Sequence, residues 1–195
     1  MSDSALPESL PDADIEAMKR LADGDDLALN GIMHRWKDKV AAFLYRMTGS
    51  AEAAADLAQE TFVRLYQSRA RYQHTAAFPT YLFRIASNLG RNHARWRTRH
   101  PTVSIEDCTA AYQQLPGHDA SPDEAAQQQD TTLRIEKAIA SLPVDLREAL
   151  HLFTYQEMSQ HEIAQALGCT IKAVETRIYR ARQMLKELLA DLRRN

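Results

Sequence analysis

The residues His161-Glu162-Ile163-Ala164-Gln165 come within one position of a zinc-hydrolase motif. H-E-x-x-H works because two imidazoles one helical turn apart share a face and grip one metal ion, with the glutamate as general base. Here Gln165 stands at the second ligand position, and no other His or Cys is suitably spaced, so metal hydrolysis is not expected. Asp56 and Glu60 also stand one turn apart, as acid–base or metal-binding carboxylates do, but no glycine-rich phosphate loop or nucleophile triad accompanies them. Protein contact or a solvated face is the expectation there. The two cysteines, Cys108 and Cys169, are distant in sequence and form no C-x-x-C pair, which fits a reducing compartment. No catalytic residue, metal site or cofactor is expected, so the chain is not read as an enzyme.

A second kind of chemistry is better represented. Lys172, Glu175, Thr176, Arg177, Arg180 and Arg182, with Tyr179 among them, crowd the front of one predicted helix near the C-terminus. Such side chains donate to guanine edges, accept from cytosine or pair with phosphates. Further upstream, Arg84, Asn88, Arg91 and Arg95 recur at helical spacing, and Tyr72, Phe78, Tyr81 and Trp96 place aromatic rings beside cations, the pairing that single-stranded bases use for stacking and phosphate contact. The bland alternatives are a solvated cationic surface and rings buried as core. The net charge of −2 conceals how segregated the charges are. Residues 1–30 hold eight acids and two bases, 31–77 four and seven, 78–100 none and five, 101–130 six and none, and 131–195 eight and ten. Two cationic blocks around an anionic connector suit a polyanion touched at two places.

These residues need helices to hold them. In a chain of 195 residues, 45% hydrophobic and rich in helix formers, an all-α fold is expected, as two small helical domains joined by an acidic, flexible linker. Leu29, Ile32, Met33, Trp36, Val40, Phe43, Leu44 and Met47 form one apolar face that Gly49 stops; a second helix buries Ala54, Leu57, Ala58, Thr61, Phe62 and Leu65; a third buries Phe78, Leu82, Ile85 and Leu89. This bundle spans 14–100, the linker 101–130, and the second domain 131–195. Ser121-Pro122-Asp123-Glu124 is a possible helix start inside that linker. In the second domain Leu133, Ile135, Ala138, Ile139 and Leu142 predict one helix, and Pro143 opens another. Ser159 to Glu162 reads as a capping box, Gly168 as a left-handed stop and Thr170 as the next cap; Ile171, Val174, Ile178, Ala181, Leu185, Leu188 and Leu192 form the stripe of the helix that follows. A short helix, a tight turn and a longer helix make a helix-turn-helix.

With those motifs in place, Asp56-Leu57-Ala58-Gln59-Glu60-Thr61-Phe62-Val63-Arg64-Leu65-Tyr66, followed by Phe78-Pro79-Thr80-Tyr81-Leu82-Phe83-Arg84-Ile85-Ala86-Ser87-Asn88, resembles region two of bacterial RNA polymerase sigma factors of the extracytoplasmic-function group. Leu142-Pro143 through Arg147, Ser159 to Leu167, and Val174-Glu175-Thr176-Arg177-Ile178-Tyr179-Arg180-Ala181-Arg182 resemble region four. The resemblance implies a cytoplasmic, non-catalytic initiation subunit that directs core polymerase to promoters and assists melting. It implies core-polymerase binding through Asp56, Gln59 and Glu60. Minus-ten DNA falls to Tyr72, Tyr81, Arg84, Asn88, Arg91 and Arg95, and minus-thirty-five DNA to Lys172, Glu175, Thr176, Arg177, Arg180 and Arg182. An anti-sigma factor is an implied partner, and so is a closed free state in which the two domains pack together. Tyr81 stands where Trp is common, which preserves an aromatic and matters little, whereas Lys172-Ala173 stands where Gly-Thr is frequent, which bears on the upstream sequence read. A helix-turn-helix regulator that binds duplex operators by itself is the alternative; a small helical hydrolase is a more remote one. No apolar run reaches the roughly 18 to 20 residues of a membrane span.

Overall fold

Eight helices follow one another, with no strand among the described residues: α1 Leu10–Ala22, α2 Ala28–Thr48, α3 Ala51–Gln67, α4 Phe78–Arg99, α5 Pro122–Ala140, α6 Val144–Tyr155, α7 Gln160–Leu167 and α8 Ile171–Leu188. A single 3-10 turn, Arg69–Arg71, sits between α3 and α4. The structure, a computed structural model, describes residues 10–73, 76–100 and 122–190. Residues 101–121 of the expected linker, with Cys108, lie outside the described residues, as do His74, Thr75 and Leu192.

Local chemistry sets most boundaries. Gly49 ends α2 in the left-handed conformation, φ 71°, with its amide donating to the Tyr45 carbonyl. Ser50 then caps α3 by accepting from the Ala53 amide. Pro79 sits in the first turn of α4, where a missing N–H costs nothing. The helix α5 begins at Pro122, so it starts inside the 101–130 segment expected as linker.

The first helix was not expected as a regular element, although seven of its thirteen residues are apolar. Met18 and Leu21 are its fully buried anchors. Asp14 is buried as well, and its Oδ1 accepts from Arg35 Nε at 2.7 Å while its Oδ2 accepts from Trp36 Nε1 at 2.9 Å. A buried carboxylate is tolerable only with such partners. Helices α2, α3 and α4 pack around Ile32, Val40, Phe43, Leu44, Leu65, Phe78, Leu82 and Phe83. Phe83 makes edge contacts with Phe43 at 5.3 Å and with Trp36 at 6.2 Å between ring centroids.

In the second half, Leu142, Leu146 and Leu150 meet Ala181 where α6 crosses α8, and Ile163, Leu167, Val174 and Ile178 knit α7 to α8. Two expected core positions on α8, Ile171 and Leu188, are exposed instead, as is Ile135 on α5. They lie at helix ends or on an outer edge, where no neighbouring helix remains to cover them.

The two halves pack against each other. The helix α7 lies along α4, and α6 rests on α2 and α4. Ala149, Leu152, Met158 and Ile163 therefore share one hydrophobic core with Leu44, Met47 and Ala86. Arg147 of α6 bridges helix C-termini: its guanidinium donates to the Ala140 carbonyl at 2.6 Å and to the Met47 carbonyl at 3.0 Å. Arg97 donates to the neighbouring Thr48 carbonyl at 2.9 Å, so two cations cap the negative end of α2. Arg46 stacks over the Tyr155 ring at 4.0 Å across the same seam.

Candidate nucleic-acid and polymerase interfaces

The helix-turn-helix is built as its capping residues dictate. The Ser159 amide donates to Glu162 Oε2 at 2.8 Å, and the Glu162 amide donates to Ser159 Oγ at 3.3 Å, a complete capping box at the start of α7. Gly168 closes the helix at φ 65°, and Thr170 Oγ1 accepts from the Ala173 amide at 3.2 Å, which starts α8 at once. All six upstream candidates lie on α8. Lys172 is ion-paired with Glu175 at 2.9 Å, and the Thr176 hydroxyl donates back to the Lys172 carbonyl. Arg180 and Arg182 are exposed, Arg182 over the Phe153 ring. Arg177 is half-buried and engaged, 3.7 Å from the Asp145 carboxylate and 3.7 Å from the Cys169 sulfur. Lys172, Thr176, Arg177 and Arg180 line a shallow hollow with Thr170 and Asp145. Tyr179, absent from the short set of expected contacts, is among the most exposed aromatics.

On α4, Arg84, Asn88 and Arg95 face solvent on one side of the helix. Arg91 belongs to the same row but is only 25% exposed; it donates to Asn88 Oδ1 at 2.7 Å and approaches Glu148 of α6 at 3.6 Å. The aromatic pair separates from this row. Tyr72 and Tyr81 pack edge to face at 5.0 Å, and the Tyr81 hydroxyl donates to Ser68 Oγ at 2.6 Å. Burial pushes the Tyr72 phenol above its ordinary range, with Tyr81 and Asp14 adding to the shift. Phe78 is wholly core. Trp96 is the aromatic that α4 leaves open, stacked on His100 at 5.0 Å.

Asp56 and Gln59 are exposed on α3, and Glu60 accepts from Arg64 Nε at 2.7 Å. Beside them runs an apolar groove between α2 and α3, with Leu29, Met33, Phe62, Val63 and Tyr66 in its walls and Gln59 at its edge. Acceptor-bearing side chains next to exposed apolar surface suit a protein partner with a basic rim. Among the described residues no three His, Cys, Asp or Glu side chains converge as a metal requires, and no helix is long and apolar enough to cross a membrane.

Sequence reasoning passed over Arg147, Glu148, His151 and Tyr155. Their spacing places them on one face of α6, and that polar face, beside the apolar one that meets α8, was the available signal.

A helical fold with a cationic α4 and a helix-turn-helix is the architecture of a nucleic-acid-binding protein. Its kinship is specific. Sigma-70 region 2 matches residues 32–100 and Sigma-70 region 4 matches residues 132–185. The RNA polymerase sigma-H factor of Pseudomonas aeruginosa is 31% identical over 187 residues, covering 93% of this chain and 96% of the relative. The ECF RNA polymerase sigma factor SigW of Bacillus subtilis is 32% identical over 181 residues, covering 90% and 96%. Among solved structures, CnrH in complex with the cytosolic domain of CnrY superposes with a TM-score of 0.68 at 25% identity, covering 92% of this chain and 98% of that one. The sigma factor RpoE in complex with the anti-sigma factor NepR from Bartonella quintana gives 0.65 at 25% identity, covering 83% and 96%. The chain belongs to the extracytoplasmic-function group of RNA polymerase sigma factors.

Proposed function

We propose that the chain docks on core RNA polymerase through the α2–α3 face around Asp56, Gln59 and Glu60. It reads minus-thirty-five duplex with α8 and captures the melted minus-ten strand with α4. The observation that carries this reading is the pairing, on one chain, of an acid-free helix bearing five arginines with a capped helix-turn-helix whose second helix presents Lys172, Thr176, Arg180 and Arg182. Strand separation costs about 1.4 kcal/mol of stacking per base step, so a base held out of the stack by Asn88 and its neighbours offsets much of one step. Arg84, Arg91 and Arg95 supply the sequence-independent phosphate contacts. The work is recognition and positioning, with no covalent chemistry, and it takes place where polymerase is, in the cytoplasm. An anti-sigma factor is the expected inhibitor, because the sigma factor RpoE of Bartonella quintana, which shares this fold, was captured in complex with the anti-sigma factor NepR.

The test adds purified protein to core polymerase and scores run-off transcripts on genomic fragments. Promoter-specific, salt-sensitive binding that requires core supports the reading; tight duplex binding by the protein alone would point to an operator-binding regulator. Asn88→Ala is expected to impair open-complex formation and leave core affinity near normal, and equal loss of both would remove Asn88 from the base-capture role.

A further inference from the structure

The face of α6 that meets the first half of the chain carries charge where a tight interface would favour carbon. Glu148 is completely buried there, and neither carboxylate oxygen has a hydrogen-bond partner. The Arg91 guanidinium of α4 stands 3.6 Å away, too far for a hydrogen bond, and the buried Ser87 hydroxyl faces the carboxylate without forming a hydrogen bond of good geometry to it. An ion pair of this geometry recovers little of the hydration that both groups surrender, so it weakens the contact it occupies. Burial pushes the Glu148 carboxyl up to about 7, against the opposing pull of Arg91 from α4, the Ser87 hydroxyl and Arg177 from α8, and with the repulsion of Asp145 on its own helix. One turn further on, His151 is buried with both ring nitrogens unpartnered, near Arg46 of α2 and Arg147. The apolar packing of α7 on α4 and the Arg147 bridge to Met47 hold the two halves together; the Glu148 site works against them.

We propose that Glu148 is a built-in release element: its sealed, unsatisfied carboxylate keeps the closed arrangement marginal and returns Arg91 to solvent, and so to DNA, when the two halves part. The proposal rests on the reading of α4 as a DNA-binding helix. It ties two events that are otherwise separate. Opening rehydrates Glu148, and the same motion completes the row Arg84, Asn88, Arg91 and Arg95. A chain with an apolar residue at this position would close more firmly and yield less readily to polymerase.

The test uses the full chain with fluorophores on cysteines introduced at the exposed residues Gln67 and Gln183, and with Cys108 and Cys169 replaced by serine. The closed-to-open ratio is read by energy transfer at pH 7.5, in urea chosen so that the wild type is half open while helicity is unchanged. A carboxylate near pKa 7 when closed and at 4.5 when solvated disfavours closure by up to roughly 200-fold at that pH. Both E148Q and E148M remove the charge and are expected to raise the ratio at least about tenfold. Both should leave promoter choice by the assembled polymerase unchanged. A ratio that stays level or falls in both variants overturns the proposal, and so does a wild type that never opens short of global unfolding. Run-off transcription by the wild type is scored separately. Its failure would remove the sigma-factor reading of α4 while leaving the closed-to-open measurement to stand or fall by itself.

Discussion

Replacing His151 with Gln should convert a nearly pH-insensitive closed state into a strongly pH-sensitive one. Burial pushes His151 down to about 3, with Arg46 and Arg147 adding to the shift, and pushes Glu148 up to about 7; their ordinary values are 6.5 and 4.5. Burial therefore disfavours the charged form of each group while the halves are packed, and both regain ordinary values when the halves part. The two signs are opposite. For Glu148 the closed form is favoured below 4.5 and loses ground as pH rises toward 7, because the open form releases a proton. For His151 the closed form is favoured above 6.5 and loses ground as pH falls toward 3, because the open form takes up a proton. Between pH 5 and 8 the two effects nearly cancel, and the wild-type ratio should drift by only about twofold. In H151Q the Glu148 effect stands alone, and closure should weaken by roughly 70-fold from pH 5 to 8. In E148Q the slope reverses, and closure should strengthen by roughly 30-fold over the same interval. The assay is the energy-transfer ratio between labelled Gln67 and Gln183 positions across that pH range. A level profile in H151Q, or the same sign of slope in both variants, would refute the reasoning, since it would mean that parting the halves does not rehydrate these two groups.

Other perturbations test other links. Asp14→Ala strands the Arg35 guanidinium and the Trp36 indole N–H and should cost about 2–3 kcal/mol in urea unfolding, with α1 released first. Ser159→Ala removes the capping box of α7 and should cost about 1 kcal/mol, visible as a lower denaturation midpoint at unchanged slope. Arg177→Ala should weaken minus-thirty-five duplex binding in the assembled polymerase. If Asp145→Asn weakens it equally, Arg177 acts through its tether to that carboxylate; if only the Arg177 variant does, it touches DNA.

The helix-turn-helix was legible from the residues because caps are local: Ser159 with Glu162, Gly168 and Thr170 interact within a few positions, so sequence spacing and spatial geometry coincide. The apolar faces of α2, α3 and α4 were legible for the same reason. The first helix was not, since its stability comes from Asp14 reaching residues more than twenty positions away. The helical spacing of Arg84, Asn88, Arg91 and Arg95 was legible as a row on α4. Spacing could not say that Tyr72 and Tyr81 would spend their faces on each other, or that Arg91 would be turned toward α6.

Residue order thus determined the helices, their caps, the separation of charge into two cationic blocks, and membership in the sigma-factor family, all of which depend on neighbours within a turn or two. Tertiary structure decided how the two halves meet, which arginine is withheld from solvent, and that Glu148 and His151 are buried where their charged forms are disfavoured. Burial and long-range electrostatics depend on which surfaces come together, and a polar face on α6 acquires that meaning only once α2 and α4 are laid against it.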